Sequence, residues 1–344
     1  MTERFDRAAA LRRAALVAAA AAAARTGVAG AAVEGFLQPH PRWRFCFVNH
    51  ATTNPFFVPA RYGIADACSL FECTADWVGS TRSDVGDMVE AMHRAIKRGV
   101  DGIAVSIIDP VAFNQPTAEA IKLGIPVISY NADGGRGNRR LAYVGQDLYQ
   151  SGLRFGARIA ELVRTGDVFL FIATPGQLNI QPRIDGARDA IRDSGKEIRV
   201  HVVATGAAVG AERAKIEAAY LANRSLRGMF AVDGGSTQGV AEVMRKYHLH
   251  RKGVRAGGYD LLPGTLESIA SGRLDFTIDQ QPYLQGFVPI QQLFLHHYSG
   301  GLVSPAETNT GVKFVSRDNV QRYLTTQTRY EGSSSVRKFP VSNP

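Results

Sequence analysis

Cysteine is scarce in this chain of 344 residues: Cys46, Cys68 and Cys73 are the full set. None has zinc-ligand spacing and no C-x-x-C occurs, which excludes a structural zinc site and thioredoxin-like redox chemistry. Cys68 and Cys73 could bridge in oxidising surroundings, but buried thiols acting as small hydrophobes are the expectation. Phosphate-binding loops are missing as well. No G-x-G-x-x-G follows the first strand-like run, and no G-x-x-x-x-G-K-[ST] occurs anywhere, so a nucleotide-dependent enzyme has nothing to rest on. The eight histidines are scattered, and His296-His297 has no carboxylates at metal-ligand spacing. Ser106 and Ser236 have no histidine in their motifs, so no activated nucleophile is in view. No catalysis, no cofactor and no metal are expected. No stretch is long and apolar enough to span a bilayer. No basic run with interleaved aromatics occurs, so the net charge of +9 reads as a solvated surface and no nucleic-acid partner is expected.

Part of that charge lies at the amino end. Arg4, Arg7, Arg12, Arg13 and Arg25 stand against Glu3 and Asp6, ahead of and around an apolar run of Ala, Leu and Val over 14–24. Charged, apolar and small-residue stretches in this order read as an export signal over 1–32, absent from the mature protein. Arg12-Arg13 before a weakly hydrophobic run fits twin-arginine export, although no Phe follows the pair. No cysteine precedes Cys46, which argues against a lipid anchor. A periplasmic protein is expected.

Hydrophobic residues make up 45% of the chain, enough for real cores. From residue 43 strand-like and helix-like runs alternate. Strands are expected at 44–48, 74–78, 100–107 and 127–130, and helices at 59–70, 84–98 and 114–122. The helix 84–98 puts Val85, Met88, Val89, Met92 and Ile96 on one face and stops at Gly99. The pattern restarts with helices at 149–164, 181–194, 211–223, 236–247 and 263–271. Strands at 167–172, 200–204, 228–232, 254–258 and 276–279 alternate with them. A helix at 283–298 and a strand at 312–315 follow. Such alternation implies parallel sheets covered on both faces. In open α/β sheets ligands bind beyond the carboxyl ends of the strands. Those ends carry Asn, Asp, Gln and aromatics (50–57, 106–110, 130–133, 174–181, 233–236, 259–261, 279–281), while the opposite ends are plain. A cleft between two lobes would produce that asymmetry.

Eight strings then stand in order: TNPFF at 53–57, VDGIAVSIIDP at 100–110, GIPVISYNAD at 124–133, YVGQDLYQSG at 143–152, QPRIDG at 181–186, AVDGGSTQGV at 231–240, GGYD at 257–260 and TIDQQPYLQG at 277–286. With them the chain resembles the periplasmic sugar-binding proteins of type I fold, the ribose-binding and related group, over about residues 43–330. The resemblance implies an α/β fold of two Rossmann-like lobes with parallel sheets, joined by three crossing strands near Gln146, Gln280 and Thr310. The amino-terminal lobe would take 42–146 and 281–310, the carboxyl-terminal lobe 147–280 and 311–330, with 331–344 as a tail. It also implies a monomer that carries a small neutral sugar or polyol to the membrane permease of an ABC importer.

A sugar has hydroxyls at its rim and C–H groups on its faces, so its site needs flat aromatics and a polar edge. In the resemblance Phe56 and Phe57 supply the aromatic face, and Asn54, Tyr130 and Asn131 join them from the first lobe. Arg183 would donate to several hydroxyls, and its place at a helix start leaves folding little to gain from the cation. Gln181 lies beside it as a weaker candidate that could instead cap the helix, as could Asn179. Asp233 and Asp260 end strands and would accept hydroxyl bonds, with Gln280 on a crossing strand. Asp233 could equally cap the following helix. Ribose-type binders place Asp-Arg where this chain has Asn131-Ala132, so a ligand other than ribose is expected. A sugar-type quorum signal or a chemoreceptor-coupled role keeps the same fold. A sugar-responsive repressor would need a helix-turn-helix ahead of the first strand, where the export signal stands.

Overall fold

The computed structural model describes residues 39–135, 137–206, 211–302 and 305–325. The expected export signal over 1–32 and the tail over 331–344 lie outside these residues. From Arg42 onward the chain builds two six-stranded sheets. The first holds β1 (Arg44–Asn49), β2 (Thr74–Gly79), β3 (Gly102–Val105), β4 (Val127–Tyr130), β5 (Ala142–Gly145) and, from far along the chain, β11 (Glu307–Asn309). The second holds β6 (Thr165–Ile172), β7 (Glu197–Ala204), β8 (Gly228–Ala231), β9 (Arg255–Tyr259), β10 (Phe276–Asp279) and β12 (Lys313–Ser316). Their orders are β11-β5-β4-β3-β1-β2 and β12-β10-β9-β8-β6-β7. Every pairing is parallel except β12 on β10. In both sheets the strand order reverses beside the first strand, β1 or β6, and a crevice opens at the carboxyl ends there.

Parallel strands buried on both faces explain the long apolar runs. In β1, Phe45 and Phe47 pack into one cluster with Ile290 and Phe294, while Cys46 and Val48 pack into another with Met88 and Met92. In β6, Phe169 and Phe171 face one side, and Val168, Leu170 and Ile172 the other. The first sheet carries α1 (Val58–Leu70), α2 (Val85–Lys97), α3 (Asn114–Lys122) and α9 (Pro282–Ser299). The second carries α4 (Leu148–Leu162), α5 (Gln181–Asp193), α6 (Ala211–Ala222), α7 (Gly234–Lys246), α8 (Pro263–Ala270) and α10 (Val320–Thr325). Local signals place their ends. Asp84 caps α2 by accepting from the Asp87 N–H at 3.0 Å, Arg94 and Lys97 fill its last turn, and Gly99 follows at φ 61. The cysteines are free thiols, with Cys46 and Cys73 buried and Cys68 half-buried.

Helices α4 and α5 approach so closely that a side chain on Gly152 would start 2.5 Å from the Arg183 carbonyl oxygen. The chain passes between the sheets after β5, after β10 and after β11, through a buried amide cluster. Gln146 Nε2 donates to Gly311 O at 3.0 Å, Thr310 Oγ1 to Gln280 O at 2.8 Å, and Gln285 Nε2 to Gln280 O at 3.0 Å.

Candidate functional site

A cleft of about 400 Å³ lies between the carboxyl ends of the two sheets. On the first lobe β1 runs out into His50 and the loop that follows. Asn54 caps the short turn Pro55–Phe57, its Oδ1 accepting from the Phe56 N–H at 2.9 Å. Phe56 is half-buried and offers its ring to the cleft, whereas Phe57 is 1% exposed and held edge-on by Phe56 and His50. Phe57 therefore belongs mainly to the core and leaves Phe56 as the accessible ring. Asn131 lines the cleft with φ 63, an unusual conformation that Asn tolerates, and its Nδ2 donates to Gln285 Oε1 at 3.0 Å.

On the second lobe Arg183, Asp233, Asp260 and Gln280 meet in the cleft. Arg183 is 2% exposed. Its Nη1 donates to Val232 O at 2.8 Å, its Nη2 to Gln280 Oε1 at 2.9 Å, and its guanidinium lies 4.2 Å from the centre of the Tyr259 ring. Gln280 passes the chain on, its Nε2 donating to Asp260 Oδ1 at 2.6 Å. The expectation that Arg183 adds little to folding is thus corrected: the cation is a buried scaffold member with bonds on two of its nitrogens. Its Nε has no hydrogen-bond partner among the described residues. Asp233 caps α7, taking the Ser236 N–H at 2.8 Å on Oδ1 and the Ala173 N–H at 2.9 Å on Oδ2. Burial pushes the Asp260 carboxyl up to about 6, against the pull of Arg183, so it is ionised at neutral pH and accepts hydrogen bonds.

Two residues expected at the site stand elsewhere. Tyr130 is fully buried, its hydroxyl accepting from Asn49 Nδ2 at 2.8 Å beneath Phe47 and Trp77. Gln181 opens α5 and is spent on its own neighbourhood, accepting from the Gly176 N–H at 3.0 Å and donating to Asp185 at 2.8 Å. Neither lines the cleft. Conversely, Glu212, Arg213, Gln238 and Glu242 line it without having been singled out. They sit within helices, and the cue that reveals the last two is the 235, 238, 239, 242 spacing on one face of α7.

Three contacts join the lobes at one rim. Leu178 N donates to Ile108 O at 2.9 Å and Gln177 Nε2 to Ser83 O at 3.3 Å. Asn179 Nδ2 meets His50 Nε2 at 3.4 Å, and His50 Nδ1 meets Ser106 Oγ at 2.9 Å. Burial lowers the His50 pKa to about 4, so the ring is neutral, with Nδ1 donating and Nε2 accepting. The arrangement offers the Phe56 ring, amides, the buried guanidinium of Arg183 with the more exposed Arg82 and Arg213, and the carboxyl groups of Glu212, Asp233, Glu242 and Asp260, and among the described residues no cluster of His, Cys, Asp and Glu suited to a metal. Such a set recognises hydroxyls by geometry.

The periplasmic binding protein domain family matches residues 45–297. The chain is 49% identical over 318 residues to the xylose/arabinose-binding protein XylF of Sulfolobus acidocaldarius, covering 88% of this chain and 78% of that one. A solute-binding protein of an ABC transporter from Burkholderia graminis, solved with D-arabinose, superposes with a TM-score of 0.76 at 23% identity, over 82% of this chain and 98% of that one. A carbohydrate transporter protein of Acidothermus cellulolyticus, solved with myo-inositol, gives 0.73 at 24% identity, over 82% and 96%. Two doubly wound lobes around a polar cleft, and a match across most of the chain, lead to one assignment: this protein belongs to the periplasmic binding protein family.

Proposed function

We propose that this chain captures a neutral monosaccharide in its interlobe cleft, an aldopentose before a hexose or polyol, and delivers it to the permease of an ABC importer. The observation that carries the reading is the chain of bonds Arg183–Gln280–Asp260, which sets a donor and an acceptor side by side opposite the Phe56 ring. Vicinal hydroxyls match such a pair, each donating to a carboxylate and accepting from a cation or amide. The similarity to a xylose/arabinose-binding protein supports the pentose. In this reading the protein is exported by the segment 1–32, works as a monomer and performs no catalysis.

Calorimetric titration with D-xylose, L-arabinose, D-ribose, D-glucose, D-galactose and myo-inositol tests it, alongside melting curves. A bound pentose at about a hundredfold excess over its Kd stabilises the folded chain by about 2.7 kcal/mol, enough to raise Tm by several degrees. Tight binding of an amino acid or peptide, with no response to any sugar, would overturn the proposal.

A further inference from the structure

One carboxyl in the cleft has no hydrogen bond among the described residues. Glu212 stands in the first turn of α6, lines the cleft, and is 9% exposed. Its Oε2 and Oε1 lie 2.1 and 2.6 Å from the point where a Cβ on Gly235 would sit. The carboxyl thus lies directly against the first turn of α7, in space that a side chain at position 235 would take from it. Its neighbour Arg213 pairs instead with Glu242 of α7, at 3.6 Å, farther along the cleft lining. Across the cleft Arg82 reaches toward Asp84 at 3.9 Å and Asp87 at 3.6 Å. Arg183 is bonded to Val232 and Gln280, with Asp260 at the far end of that chain. The charge acting on Glu212 is Asp233 at the head of α7. Burial first, and then that repulsion, push the Glu212 carboxyl up to about 8. Glu212 is therefore predominantly a neutral acid at pH 7, unlike the ionised Asp260, and a neutral carboxyl carries a donor as well as an acceptor.

We propose that Glu212 is a specificity-determining residue of the cleft, donating its hydroxyl hydrogen to a ligand oxygen. The ring oxygen of a pyranose, which has no hydrogen to give, suits a donor and is rejected by a carboxylate. This inference rests on the reading of the cleft as the sugar site.

The test is calorimetric titration of wild type, Glu212→Gln and Glu212→Ala with D-xylose and L-arabinose from about pH 7 to 9.5, above the titration of Asp260, with sugar-free melting curves. Glu212→Ala should weaken binding by about tenfold at pH 7, and Glu212→Gln, which keeps an N–H donor, should stay within about threefold of wild type. Wild-type affinity should fall as the pH rises through about 8, while Glu212→Gln stays level across the range. Three results would overturn the proposal: Glu212→Ala binding as wild type does, Glu212→Gln following the wild-type pH profile, or a lowered sugar-free Tm in Glu212→Ala with unchanged affinity. A wild type that binds sugar while the variants are indifferent sinks this proposal alone. A wild type that binds no sugar sinks the functional reading with it.

Discussion

Arg183 carries a positive charge at 2% exposure, and its partners explain how it can. The Val232 carbonyl, Gln280 and the Tyr259 ring surround it, with Asp233 and Asp260 near enough to act on it electrostatically. Arg183→Ala leaves two buried acceptors without donors and two carboxylates without their cation. Breaking such a buried arrangement costs about 3–5 kcal/mol, so the sugar-free protein should unfold at markedly lower denaturant. Arg183→Lys should recover part of the loss, since an ammonium cannot reproduce the planar fork. A sugar-free unfolding midpoint for Arg183→Ala equal to wild type would show that the bonds contribute nothing to folding. The sequence marks Arg183, Asp260 and Gln280 as strand-end and helix-start residues, and that much places them near a cleft. It does not say that they bond to one another, because those bonds depend on where three separate strand ends converge. Tyr130 illustrates the reverse: it ends a strand as expected, yet its side chain turns into the core toward Asn49.

Helices α4 and α5 set the height at which Arg183 enters the cleft. A methyl group on Gly152 would press against the Arg183 carbonyl, and one on Gly156 would lie 2.4 Å from the Ala187 carbonyl. Backbone cannot yield as a flexible side chain does, so Gly152→Ala should cost about 1–3 kcal/mol and weaken sugar binding as α5 shifts. Wild-type melting and wild-type affinity together would show that the helices can part freely. Elements with a full apolar face and a cap, such as α2 and α4, can be read from sequence because period and end signals agree. Asp147, for example, caps α4 by accepting from the Gln150 N–H at 2.9 Å. Strands β5 and β11 cannot. Ala142–Gly145 is four residues long, and Glu307–Asn309 is three polar residues whose only strand signal is the partner beside them. Helix α10, six residues long, is too short to show a period.

The two lobes meet through the loop 174–180, whose bonds to Ile108, Ser83 and His50 span the rim and would break if the cleft opened. A ligand touching both lobes and these rim bonds favour the same state, so removing the bonds shifts the balance toward the open one. The double variant Gln177→Ala and Asn179→Ala should bind sugar roughly 5- to 150-fold more weakly, from about 1–3 kcal/mol of lost rim bonding. Scattering should give it a larger radius of gyration than wild type at equal sugar; an unchanged radius and affinity would mean the rim does not govern closure. The two-lobed plan is visible in the restarting βα pattern, but the rim contacts are not, since Leu178 uses only its backbone. The crossings also order events on the ribosome. Helix α9 and strand β11 belong to the first sheet yet come from residues 282–309, after the second sheet has all but β12. While the nascent chain is shorter than that, Phe45, Phe47 and Phe71 lack the cover of Ile290, Leu293 and Phe294. The first lobe to be started is thus completed only after nearly all of the second has been made, and until then the growing chain carries an apolar sheet face without its cover.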